Sequence, residues 1–210
     1  MRLRATPPAR AARLITLALA LAPAAANAQN SNAPTPPPAS APAPASKVAL
    51  VIEGGFEFGG DEIIEILFTN GDTQKLTAGQ GGTIAIGGQF QPASIPRLSL
   101  AATVGYKFVT NASENASIGI TRIPLELIGR WKLDGDWSLG AGVVRHASVN
   151  VKGDGFVPDV SMDASTGATL ELGWRWAALT WTTIEYTDPI GGVYDAGSVG
   201  VSFRWVRKAK

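Results

Sequence analysis

No cysteine occurs among the 210 residues. That absence removes disulfide frameworks, thiolate metal sites, a nucleophilic thiol and the lipid-modified cysteine of bacterial lipoproteins. Nor is there an apolar run of the ~20 residues that a membrane-spanning helix needs to cross ~30 Å of hydrocarbon. The longest, residues 14–26, falls well short. A basic patch of the kind that binds nucleic acid is missing too, and no spacing of acids matches a calcium loop. The expectation is a chain without cofactor or metal and with no nucleic-acid partner.

What is present begins with an export signal. Arg2, Arg4, Arg10 and Arg13 precede and open the apolar run, and Ala26-Asn27-Ala28 follows it, so cleavage is expected after Ala28. Of 18 Lys and Arg, those four leave with the leader, so 14 remain against 17 acids and the mature chain carries a formal charge of −3. Residues 29–46 hold Pro34, Pro36, Pro37, Pro38, Pro42 and Pro44 among alanines and serines, a composition that builds no core and favours extended polyproline II. One folded domain is expected over residues 47–206, followed by a basic tail, 207–210.

Within that domain apolar residues recur at every second position, the mark of strands with two differently solvated faces. Val48, Leu50, Ile52, Gly54, Phe56 and Phe58 oppose Glu53 and Glu57; Ile84, Ile86 and Phe90 oppose Thr83, Ala85, Gln89 and Gln91. Leu98, Leu100, Ala102, Val104, Tyr106 and Phe108 alternate with Arg97, Ser99, Ala101, Thr103, Gly105 and Lys107. Ile123, Leu125, Leu127 and Trp131 stand against Arg122, Glu126 and Arg130. In residues 137–151, Trp137, Leu139, Ala141, Val143, Ala147 and Val149 oppose Ser138, Gly140, Gly142, His146, Ser148 and Asn150. Ala168, Leu170, Leu172, Trp174 and Trp176 oppose Gly167, Thr169, Glu171, Gly173 and Arg175, and Val199, Val201, Phe203 and Trp205 oppose Ser198, Gly200, Ser202 and Arg204. In residues 179–187 the parity changes between Trp181 and Ile184, which suggests a bulge near Thr182.

A soluble sheet also alternates, so the orientation of the faces rests on the strand ends. Trp131, Trp137, Trp174, Trp176 and Trp205 fall there on the apolar side, as in the aromatic girdle of a membrane barrel. The other face combines glycine with both signs of charge, and a narrow lumen would hold Glu53, Glu57, Lys107, Arg122, Glu126, Arg130, Glu171, Arg175 and Arg204 as a charge network. Connections alternate between short (92–96, 133–136, 177–178) and long (60–81, 110–117, 152–163, 188–196), as in barrels with short periplasmic turns and longer outer loops.

Residues 198–205, with Ser198, Gly200, Phe203 and Trp205, look like the C-terminal signal read by the outer-membrane assembly machinery. Arg122-Ile123-Pro124-Leu125-Glu126-Leu127 with residues 137–143 resembles the central hairpin of small eight-stranded outer-membrane barrels of the OmpA transmembrane and OmpX type, and the resemblance covers roughly residues 48–205. It implies an all-β fold: an eight-stranded antiparallel up-and-down transmembrane barrel, monomeric, held among outer-membrane lipid and lipopolysaccharide, and not an enzyme.

Several features are weighed against that reading. His146 lies near Ser148, a pairing a lipid hydrolase would use, although both fall on the lumen face. The lumen charges would line a narrow channel if the interior were open, and a soluble barrel of lipocalin type remains a rival. Arg145 falls on the apolar face and is expected at the outer rim, where its long side chain reaches water. The long connections are acidic: Asp61, Glu62, Glu65, Asp72, Glu114, Asp154, Asp159, Asp163, Asp188 and Asp195 against Lys75 and Lys152. In the first of them, residues 61–78 read as a hairpin with an Asn70-Gly71 turn. If both its strands crossed the membrane the barrel would have ten. Eight is preferred, because residues 73–78 are short and carry only Leu76 as a large apolar group. The hairpin then projects outward, covers the mouth or meets a surface partner.

Overall fold

The structure is a computed structural model that describes residues 45–67, 73–113, 116–153 and 158–208. The expected export signal, most of the proline-rich lead and the expected Asn70-Gly71 turn lie outside the described residues. The described chain forms strands β1 (Lys47–Phe58), β2 (Glu62–Leu67), β3 (Thr73–Thr77), β4 (Gly81–Gln91), β5 (Leu98–Ser113), β6 (Ala116–Lys132) and β7 (Trp137–Lys152). They are followed by β8 (Val160–Ala164), β9 (Thr166–Trp174), β10 (Ala177–Thr183), β11 (Glu185–Thr187), β12 (Val193–Asp195) and β13 (Ser198–Lys208).

Eight of these close a barrel. The order runs β1-β4-β5-β6-β7-β9-β10-β13, every neighbour antiparallel, and β13 returns to β1 with Ile52 opposite Trp205 and Phe58 opposite Val199. Closure leaves no unpaired edge around the wall, which is the condition for a sheet to sit in hydrocarbon. β2 and β3 pair with each other and lie outside the ring, so the barrel has eight strands and not ten. β8, β11 and β12 extend the wall above β7 and β10 as a small outer sheet.

The outer wall is apolar and the inner wall is not. Leu100, Val104 and Leu125 are 42%, 47% and 43% exposed, whereas Arg130 and Glu171 are 4% and 5% exposed. A water-soluble sandwich or lipocalin would invert those values. Along β1 the outward apolar side chains run from Val48 to Phe58. At ~3.3 Å per residue and a tilt of ~40°, that run covers about 25 Å, the height of the apolar band on such barrels.

The register also locates Arg145. A cross-strand row runs Trp205, Ile52, Ile86, Val104, Leu125, Arg145, Thr166. Strand tilt raises each step by about 3 Å, so Arg145 sits some 15 Å above the tryptophan end and near the outer rim.

Four details differ from the sequence reading. The parity change after Trp181 is not a bulge: Ala178, Thr182, Ile184 and Tyr186 all point inward and are buried, and the interior itself turns apolar there. A bulge lies instead in β7, where two residues oppose Ile123, so Val149 and Val151 face inward. The turn between β9 and β10 is Arg175–Trp176 rather than residues 177–178. The connection over residues 110–117 is largely strand, with β5 and β6 extended to Ser113 and Ala116.

Candidate functional site

The barrel interior collects most of the charged residues read from the sequence. In its lower half, toward the chain termini, Arg130 donates from Nε to Glu171 at 2.9 Å and from Nη2 to Glu53 at 2.8 Å, and Arg204 donates to the second Glu171 oxygen at 2.9 Å. The arrangement is made by four strands, since Glu53, Arg130, Glu171 and Arg204 belong to β1, β6, β9 and β13. Space for it comes from Gly140, where a Cβ would stand 2.9 Å from that of Glu171. Glu126 faces the same space without a hydrogen bond among the described residues and lines a cavity of about 80 Å³ with Thr103, Thr169 and Thr180.

Higher up, the interior is closed by the chain itself. After β3, residues 78–80 pass into the mouth, and their backbone carbonyls are held from below. Arg122 donates to the Ala78 oxygen at 2.7 Å and the Gln80 oxygen at 2.5 Å, while Lys107 donates to the Gly79 oxygen at 2.7 Å and pairs with Glu57. Gly79 is required at this crossing. A Cβ would lie 2.9 Å from the carbonyl oxygens of Ala196 and Gly59 and closer still to that of Gly197. Above the crossing, Ile64 and Leu76 of the hairpin pack into a buried apolar cluster with Ile118, Ile120, Val149, Val151, Ile184, Tyr186 and Ala196. β2 and β3 of the hairpin therefore cover the barrel mouth, and Ile64 and Leu76 are buried by their own barrel.

Arg175 departs from the lumen set. It occupies the β9–β10 turn with φ 55°, is largely exposed, pairs with Asp136 at 2.9 Å and lies over the Trp174 ring at 4.9 Å. The alternation had placed it inside because the strand was extended two residues too far. The left-handed φ at a non-glycine residue costs about 1–2 kcal/mol. The turn is nonetheless fixed by the Arg175 amide donating to the Asp136 carbonyl at 2.9 Å.

Of the residues read as an assembly signal, Ser198 and Gly200 face inward, and Phe203 and Trp205 face outward. Trp131, Trp137, Trp174, Trp176 and Trp205 are all exposed at the lower end, with Trp137 opposite Trp174 and Trp176 5.5 Å from Phe203 between ring centroids. A second exposed aromatic set, Phe56, Phe58, Tyr106, Phe108 and Trp181, sits at the upper end and was missed in the sequence. Its signal was available, because those side chains share the outward parity of their strands.

His146 and Ser148 are not joined. His146 Nδ1 lies 2.5 Å from the buried Tyr186 hydroxyl, and Ser148 Oγ accepts from Asn150 at 2.8 Å. At the lower mouth a vestibule of about 410 Å³ is lined by Gln89, Gln91, Ser99, Lys132 and Arg204. It is separated from the upper cavity by Arg130, which borders both.

Outside the membrane band, two acidic surfaces differ in how they are balanced. On the covering hairpin Lys75 bonds Glu62 at 2.9 Å and approaches Glu65 at 4.0 Å; the Glu62 hydrogen bond and both carboxylate charges raise the Lys75 pKa above its ordinary value. The β11–β12 turn is organised by Asp188, whose Oδ1 accepts from the amides of Ile190 at 3.0 Å and Gly192 at 2.7 Å. Tyr194 donates to its other oxygen at 3.4 Å, and burial together with the Asp188 charge raises the phenol's pKa.

No family model and no curated protein matches the chain. Among solved structures it is similar to Ail, the attachment invasion locus protein of Yersinia pestis, in complex with the heparin analogue sucrose octasulfate. That likeness covers 76% of this chain and 99% of that one, at 10% identity and a TM-score of 0.40. Neisserial surface protein A is similar over 76% of this chain and 95% of its own, at 14% identity and a TM-score of 0.38. The chain has the fold of the small eight-stranded outer-membrane β-barrels, and its own closed strand pairing is what establishes this.

Proposed function

We propose that the chain is an exported, non-enzymatic outer-membrane protein whose barrel is a closed anchor for its outer surface, serving membrane integrity or cell-surface contact. The observation that carries this reading is the double closure of the interior. The Glu53–Arg130–Glu171–Arg204 network fills the lower half, and residues 78–80, held by Lys107 and Arg122, fill the upper. Eight strands leave an interior narrow enough for side chains to block, and Arg130 stands between the cavity above it and the vestibule below. The tryptophan girdle and the apolar band support residence among lipid, with lipopolysaccharide around the upper rim, and residues 198–205 support delivery by the assembly machinery. The N-terminal leader supports export, with the termini on the periplasmic side.

Planar-bilayer recording of the purified protein tests this reading. No stable single-channel step is expected, and a reproducible step would overturn it in favour of a narrow channel. That second reading draws on the two cavities above and below Arg130. A lipid hydrolase using His146 has no supporting contact, since its Nδ1 is taken up by Tyr186.

A further inference from the structure

The small outer sheet has an unusual exposed face. β8, β11 and β12 turn Met162, Ala164, Tyr186 and Tyr194 inward and leave Asp163, Glu185, Thr187, Val193 and Asp195 outward. Glu185 stands directly opposite Asp195, and Asp163 is paired with Thr187 one step along. Like charges directly opposite one another on a sheet destabilise it. The covering hairpin answers its own acids with Lys75, but no cation lies within ion-pair distance of Asp163, Glu185 or Asp195 among the described residues.

Next to this face stands an apolar tip. Ile190 is 93% exposed, and its turn is closed by side-chain and backbone hydrogen bonds. Asp188 accepts the Ile190 and Gly192 amides, its own amide donates to the Gly192 carbonyl at 2.9 Å, and the Gly191 amide returns to the Asp188 carbonyl at 3.1 Å. Gly191 supplies the left-handed φ of 90° that the turn needs. At Gly192 a Cβ would meet the Asp188 carboxylate at 2.7 Å. Holding a large apolar side chain in water on a preformed turn lowers the ordering cost of packing it against a partner. Val193, also exposed, lies beside it.

We propose that the outer face of β8, β11 and β12 with the 188–192 turn is a docking site for a cationic polypeptide segment carrying an apolar side chain. Its basic groups meet Asp163, Glu185 and Asp195, and its apolar group packs on Ile190 and Val193. The carboxylates select the charge of the partner: among the described residues Asp163 and Glu185 have no cation beside them, and Asp195 accepts only from the Gly197 amide at 2.7 Å. The hydrogen-bonded tip selects an amphipathic partner over a merely basic one. The inference rests on the surface-contact reading and names the partner chemistry for it.

The test uses the full chain in nanodiscs of zwitterionic lipid, with empty nanodiscs as the reference. Two probes are titrated by fluorescence anisotropy: decalysine, and the same peptide with its two central residues replaced by leucine. The leucine-containing probe is expected to bind about tenfold tighter, the scale of one well-packed apolar anchor. Ile190→Ser removes that preference and leaves decalysine binding unchanged, while Asp163→Asn with Glu185→Gln weakens both probes and flattens the salt dependence. Equal affinity of the two probes, or an Ile190→Ser variant that keeps the preference, overturns the proposal. So does displacement of both probes by submillimolar calcium, which would make the face a divalent-ion bridge to lipid phosphates. A non-conducting barrel with either of those outcomes leaves the surface-contact reading standing without this partner.

Discussion

The same inward-facing positions build two opposite interiors. Along β6 the buried inward side chains are Ile118 and Ile120 at the top and Arg122, Ile128 and Arg130 below, with no change of parity between them, so that charge enters the interior only in the lower part. β10 and β11 repeat the pattern, from Thr182 below to Ile184 and Tyr186 above. Where lipid surrounds the wall, the outer face is apolar and the inside is free to be ionic, provided each charge finds a partner. Where water surrounds it, the outer face is polar and the inside must be apolar to hold together. The change from Ile120 to Arg122 marks the level at which the environment of the wall changes.

The largest effect is expected from the ionic half. Arg130→Ala leaves Glu53 and Glu171 facing each other in a closed interior, and about 3–5 kcal/mol of stability should be lost, as for any buried pair stripped of one partner. Urea unfolding in detergent micelles, followed by tryptophan fluorescence, reads this directly. A loss below ~1 kcal/mol would mean that the network is hydrated and carries little.

In the apolar half, Ile120→Ala should cost about 2–4 kcal/mol and loosen the covering hairpin, because Ile120 is fully buried in the cluster that receives Leu76. Faster proteolysis within residues 61–80, with the barrel core intact, is the expected signature. An unchanged cleavage rate would show that the carbonyl contacts of Arg122 and Lys107 alone hold the cover.

The outer wall sharpens the comparison further. Leu127 lies midway along the lipid face of β6, between Ile123 and Trp131. Leu127→Arg should destabilise the protein by about 2–4 kcal/mol in bilayers, whereas Arg145→Leu at the rim should change it by no more than ~1 kcal/mol. Equal effects at the two positions would place the membrane at a different height. Arg175→Gly should be smallest: it relieves the left-handed φ, about 1–2 kcal/mol, and gives up the exposed pair with Asp136 and the contact with the Trp174 ring, each ~1 kcal/mol or less, so that the opposing terms largely cancel.

Much of this was legible in the sequence because a membrane barrel writes its faces with period two. Leu98 through Phe108 alternate without a break, and the structure turns them as that alternation requires. Parity failed where it met features that carry no side-chain signature. The β7 bulge adds a residue opposite Ile123 and reverses the faces of Val149 and Val151; β7 carries no glycine or proline at that point, and the one local signal, Pro124, lies on the partner strand β6. Arg175 was misplaced because a turn with a left-handed arginine reads like more strand. The choice among the hairpin's expected placements was hidden for a different reason: Arg122 and Lys107 bind backbone carbonyls of residues 78–80, and carbonyls are the same in every sequence. Ile118 and Ile120 share the inward parity of Arg122, and only the height of the wall accounts for their being apolar.

Because the chain has no native cysteine, spin labels can be placed singly along β6 from Ile118 to Trp131 in proteoliposomes and tested for collision with oxygen, which enters lipid, and a nickel chelate, which stays in water. The account predicts oxygen contact at positions 123, 125, 127 and 131, protection from both reagents at even positions throughout, and nickel contact at 119 and 121. Oxygen contact at 126 or 130, or nickel contact at 125 and 127, would contradict it.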